Sequence, residues 1–120
     1  MNIHRKYRKV VFFKNYFEDY FKKQQLQVKH KIVWTLQFLE EVDRIPIPIL
    51  KHLAGTKGLY ELRVKQGSDI YRIFCFFDKG QLVIILNGFQ KKTQKTPSNE
   101  IALALKIKKE YEYEKHQNTQ

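Results

Sequence analysis

Two arginines, Arg63 in "YELR" and Arg72 in "YRIF", and the lysine-rich stretch "LNGFQKKTQKTP" (Leu86 to Pro97) carry the chemistry this sequence offers. A guanidinium presents a rigid fork of donors to phosphate oxygens, and a lysine adds a mobile point charge. Turn chemistry sets how these residues meet. If Gly67 and Ser68 form a two-residue hairpin loop with Gly67 at positive φ, Gln66 pairs with Asp69 and Arg63 falls opposite Arg72. The same reasoning at Lys79 and Gly80 pairs Asp78 with Gln81 and sets Asn87 opposite Arg72. Like charges directly opposite on a sheet repel, and an anion relieves them. The plainer alternative is a solvated arginine pair bridged by Glu61. Lys91, Lys92 and Lys95, which follow on the adjoining strand, favour the anion site. On the same face Phe74 and Phe89 are placed either to stack unpaired bases or to fill a groove.

The elements that position these residues follow from pattern. "KVVFF" (Lys9 to Phe13) reads as a first strand. Asn15 caps a short helix, "YFEDYFKKQ". From Gln27 to Val42 the residues Val28, Ile32, Leu36 and Leu39 recur at helical spacing, with Trp34 and Phe38 off that stripe, as in a helix buried on two sides. Pro46 and Pro48 then force an extended path. "GLYELRVKQ", "DIYRIFCFFD" and "QLVIILNGF" read as an antiparallel meander. "TPSNEIALALKIKKEYEY" reads as a final helix, with Thr96 as N-cap and Pro97 in the first position. The expected fold is α+β in the order β-α-α-β-β-β-α, a small antiparallel-rich sheet with helices packed on one face. Alternation assigns Tyr60, Leu62, Val64, Tyr71, Ile73, Cys75, Leu82, Ile84 and Leu86 to the helix-covered face. It assigns Glu61, Arg63, Lys65, Arg72, Phe74, Asn87 and Phe89 to the other.

A chain of 120 residues is expected to form one domain, 1–120, with a core at about 9–111 and a polar C-terminal tail that frays. Its formal charge of +11 favours an anionic partner, nucleic acid before membrane. No run approaches the roughly 18 apolar residues of a spanning helix, and Val10 to Phe13 is too short for a signal-peptide core. A cytoplasmic location is expected. Cys75 is the single cysteine, so no internal disulfide is expected, and no His, Cys or carboxylate cluster has metal-ligand spacing. No cofactor is expected.

With "GLYELR", "YRIFCFFD" and "GFQKKTQKTP" followed by "EIALA", the chain resembles the RelE-like toxin superfamily. It looks most like its HigB or phage-derived, Gp49-like host-inhibition branch, from about Lys9 to Tyr111. The resemblance implies a toxin of a type II toxin–antitoxin module: a ribosome-dependent endoribonuclease that cuts messenger RNA. Its implied partners are the ribosome with its mRNA and a HigA-like helix-turn-helix antitoxin, with operator DNA reached only through that antitoxin. The family's strand arginines map onto Arg63 and Arg72, and its basic segment onto Lys91 and Lys92. The chain departs from the RelE pattern early in the last helix, where Ser98 and Asn99 stand in place of a tyrosine.

Such cleavage needs a proton acceptor for the 2′-hydroxyl, positive charge for the transition state, and an acid for the 5′-oxygen. Arg63 and Arg72 are assigned to the phosphate, and Lys91 or Lys92 to proton transfer, its pKa lowered by neighbouring cations. Glu61 is the alternative base. Lys57, Lys65, Phe74, Asn87, Phe89 and Lys95 are assigned to RNA contact. Arg72→Ala is expected to abolish toxicity without unfolding the protein. Two other readings share these residues: a ParE-like poison that binds DNA gyrase without chemistry, and a plain RNA-binding module.

Overall fold

In a computed structural model the chain is described over residues 6–91 and 97–118. Strand β1 (Lys9–Phe12) leads into helices α1 (Tyr16–Lys22) and α2 (Leu26–Glu41). Strands β2 (Leu50–His52), β3 (Leu59–Gln66), β4 (Asp69–Asp78) and β5 (Leu82–Lys91) follow, and helix α3 (Ser98–Asn118) closes the chain. The expected α+β class stands, with one strand more than expected. β2 is three residues long and follows two prolines, too little for an alternating pattern to show. It pairs antiparallel with β3, and the Arg63 N–H donates to the Ile49 carbonyl at 2.7 Å to extend that ladder.

The sheet order is β1-β5-β4-β3-β2, with β3 to β5 an antiparallel meander and β1 parallel to β5. The first hairpin is as expected: Gly67 has φ 63° and Gln66 pairs with Asp69. The second is not. Asp78 pairs with Leu82, so the loop has three residues, and Lys79 and Gly80 both take positive φ. A second irregularity between Ile73 and Cys75 shifts the register by one more residue: Cys75 faces Ile85, whereas Ile73 faces Gly88. Arg72 therefore lies opposite Phe89, and the expected pairing with Asn87 is wrong by two residues.

These slips decide the faces. Tyr71, Ile73, Cys75, Leu62 and Val64 pack under α1 and α2, as alternation predicts, joined from β5 by Val83 and Ile85. Leu82, Ile84 and Leu86, expected with them, lie on the opposite face. The three-residue loop inverts the first half of β5, and the bulge restores the phase, so Asn87 and Phe89 keep the face expected of them. α3 goes further than the expected arrangement: its Ala104 and Ile107 pack on this opposite face, over Phe74, Phe76, Ile84 and Leu86.

α2 buries one side only, through Val28, Ile32, Leu36 and Leu39, where two were expected. Trp34 is 52% exposed and stacks on Phe38 at 5.3 Å. The C-terminal segment expected to fray is helical through Asn118. Polar pins hold it: Tyr111 donates to the Asp78 carboxylate at 2.7 Å, and Lys115 bonds both Asp78 oxygens at 2.7 and 2.8 Å. Lys14, in the β1–α1 turn with φ 54°, pairs with Glu110 and Glu114.

Candidate nucleic-acid interface

β3 and β4 bring the two arginines together as the hairpin geometry dictates: Arg63 and Arg72 are direct cross-strand partners. Their environments differ sharply. Arg63 is exposed, and Arg72 is only 7% exposed. The Arg72 Nη1 donates to Glu61 Oε2 at 2.8 Å, and Glu61 is itself 3% exposed. Glu61 thus offsets one of two facing positive charges, and the bridging carboxylate weighed from sequence is present. A buried pair with good geometry recovers part of a large desolvation cost, whereas removing one partner strands the other. Arg72→Ala therefore does not isolate function from folding, contrary to expectation. Arg63→Ala does.

Asn87 sits beside this pair, 5% exposed, two residues before Phe89 on β5 and so diagonal to Arg72. Its Nδ2 reaches the Glu100 backbone carbonyl and the Glu100 Oε2, both at 3.4 Å. Both neighbours are acceptors, which fixes the amide's orientation. Asn87 Oδ1 and Arg72 Nε are buried and have no hydrogen-bond partner among the described residues. Buried polar atoms are nearly always paired, and exceptions concentrate where a protein does something besides fold.

Phe74 and Phe89 do not serve as stacking platforms here. Phe74 is fully buried, Phe89 is 8% exposed, and the two rings pack on each other at 5.2 Å. α3 covers them, a consequence of its place on this face. Lys65 is exposed one step further along β3 from Arg63, on the row it shares with Ile70 and the Lys91 backbone. Lys57 is exposed but lies at the other end of β3, in a cleft of about 390 Å³ shared with Asp78, Lys108, Tyr111 and Lys115. It is not part of the arginine row. Lys92, Lys95 and the side chain of Lys91 lie outside the described residues.

Two acidic residues matter more than the sequence patterns indicated. Glu61 alternates onto the arginine face and could be read there. Glu100, in the first turn of α3, was legible only as a helix N-terminal charge. What places it at the site is the position of α3 over the sheet, which no local pattern encodes. His52 is exposed on β2 against the Tyr60 ring. Among the described residues no group of His, Cys, Asp and Glu is arranged to hold a metal ion, and no helix is long and apolar enough to cross a membrane.

A family model, that of the phage-derived Gp49-like proteins, matches residues 19–109, from the middle of α1 to the middle of α3. The chain belongs to this family. The Gp49-like proteins are a family of RelE-like toxins, and the match spans the arginine pair, Asn87 and Glu100. No curated protein matches the chain.

Proposed function

We propose that this Gp49-like protein is the toxin of a type II toxin–antitoxin module and acts as a ribosome-dependent endoribonuclease on messenger RNA. The observation that carries the reading is the cross-strand pair, an exposed Arg63 beside an Arg72 held rigid by Glu61. Arg63 is exposed to meet a phosphate, and the Arg72–Glu61 pair fixes the strand surface beside it. Preorganised charge of this kind stabilises a phosphorane-like transition state more than the ground state. Exposed Lys65 extends the cationic strip along β3. The overall +11 charge suits a ribosome, whose surface is largely phosphate. In this reading a helix-turn-helix antitoxin neutralises the protein, Lys91 and Lys92 assist proton transfer, and operator DNA is met only through the antitoxin.

A second reading is favoured by the burial of Arg72, Phe74 and Phe89: a gyrase poison that binds through Arg63 and Lys65 and performs no chemistry. Inducible expression in bacteria separates the two. The nuclease reading predicts growth arrest with new messenger RNA 5′ ends inside open reading frames, both lost in Arg63→Ala. Arrest with DNA breaks and no new RNA ends identifies the gyrase poison.

A further inference from the structure

We infer that Glu100 is the proton acceptor of the cleavage reaction and that Asn87 positions its carboxylate; the inference rests on the nuclease reading above. RNA cleavage at such a site needs a group that accepts the 2′-hydroxyl proton close to the cations that hold the phosphate. Glu61 is excluded by its occupation: its Oε2 is bound to Arg72, and at 3% exposure it is out of reach of a substrate ribose. The other acidic side chains on this face are also neutralised. Asp78 is held by Lys115, Glu110 and Glu114 by Lys14, and Glu112 by Lys108. Glu100 is the carboxylate of this face with no cation partner among the described residues.

Glu100 is also placed and accessible. It stands in the first turn of α3, half-buried, with its backbone N–H donating to the Pro97 carbonyl at 3.1 Å. The Asn87 amide touches both its backbone and its carboxylate, and Asn87 is fixed by its own burial. Asn87 lies two residues before Phe89, the cross-strand partner of Arg72. The unpartnered Asn87 Oδ1 and Arg72 Nε lie on the same side.

The step balances without a cofactor. A Glu100 oxygen takes the proton from the 2′-hydroxyl as O2′ forms a bond to phosphorus. The P–O5′ bond breaks, and its electron pair stays on the 5′-oxygen, which takes a proton from a lysine ammonium or from solvent water. The products are a 2′,3′-cyclic phosphate and a 5′-hydroxyl. Asn87 touches the carboxylate rather than the substrate, so it acts through Glu100.

The test is single-turnover cutting of messenger RNA on programmed ribosomes by the wild type, Glu100→Gln, Asn87→Ala and the double variant, with ribosome affinity and melting temperature measured for each. The expected result is a rate loss of about 10²–10⁴-fold in Glu100→Gln with affinity within threefold. Asn87→Ala should lose less, and the double variant should be no slower than Glu100→Gln, because a positioning residue has nothing left to position. Glu100→Gln cutting within a few-fold of wild type overturns the assignment and leaves the nuclease reading intact. So does a loss fully explained by weaker ribosome binding or by unfolding. A double variant slower than Glu100→Gln by the full Asn87→Ala factor overturns the positioning role. Wild type that cuts no RNA overturns both the nuclease reading and the assignment.

Discussion

Glu61 and Arg72 are almost wholly out of water, and their 2.8 Å contact makes each the condition for burying the other. Glu61→Ala leaves a guanidinium buried without its counter-charge, and a loss of about 3–5 kcal/mol in denaturant unfolding is expected. Arg63→Ala, on the exposed side of the same rung, should stay within about 0.5 kcal/mol of wild type while cutting activity falls at least about 100-fold. A large stability loss in Arg63→Ala would show that the exposed arginine belongs to the fold. The pairing of these two arginines was legible because a Gly-Ser loop admits few hairpin geometries. Their unequal burial was not, since it goes with Arg72 turning onto buried Glu61, which strand pairing alone does not reveal.

At the scale of elements, β5 shows where local reading fails. Pattern located the strand, but a three-residue loop and a bulge each moved its register by one residue. Lys79 and Gly80 signal a turn but not its length, and no turn residue marks a bulge in mid-strand. The region just past the bulge is tight: a Cβ on Gly88 would lie 2.6 Å from Tyr20 Cε2 and 2.7 Å from Cδ2. Both atoms belong to a packed ring, so Gly88→Ala is expected to cost about 1–3 kcal/mol. Tyr20→Phe removes a buried hydroxyl that has no partner, and stability should hold or rise by up to about 1 kcal/mol. Calorimetry on the two variants checks both signs.

The pins on α3 give a pH dependence. Lys115, and after it the Tyr111 hydroxyl, hold the Asp78 carboxyl below its ordinary value, while burial and the same hydrogen bond push Tyr111 up to about 12. A depressed carboxylate contributes stability that is fully present above its unfolded pKa, near 3.8, and is lost as pH falls through its lower folded value. Asp78→Asn should therefore lower the melting temperature at pH 7 and flatten its fall below about pH 4. An acid limb as steep as that of the wild type would place the acid sensitivity elsewhere. The helical C-terminal segment was misread as a fraying tail because its polar residues resemble a solvated end. The partners that order it, Asp78 and Lys14, are distant in sequence.

For the molecule as a whole, composition indicated an anionic partner, and the fold directs that charge: Arg63 and Lys65 lie exposed on one strand, opposite the face covered by α1 and α2. Binding that neutralises phosphates should weaken as salt rises, with a slope of about 0.7 per single-strand contact. Arg63→Ala should lower that slope by roughly one contact. The most direct measurement is cutting of one messenger RNA by purified protein, free in solution and threaded on a translating ribosome, for the wild type and Arg63→Ala. The expected result is cuts in the ribosome-bound message alone, ending in 2′,3′-cyclic phosphate, and at least about 100-fold slower in Arg63→Ala. An intact message on the ribosome, or equal cutting by the two proteins, would contradict a nuclease built on the arginine pair.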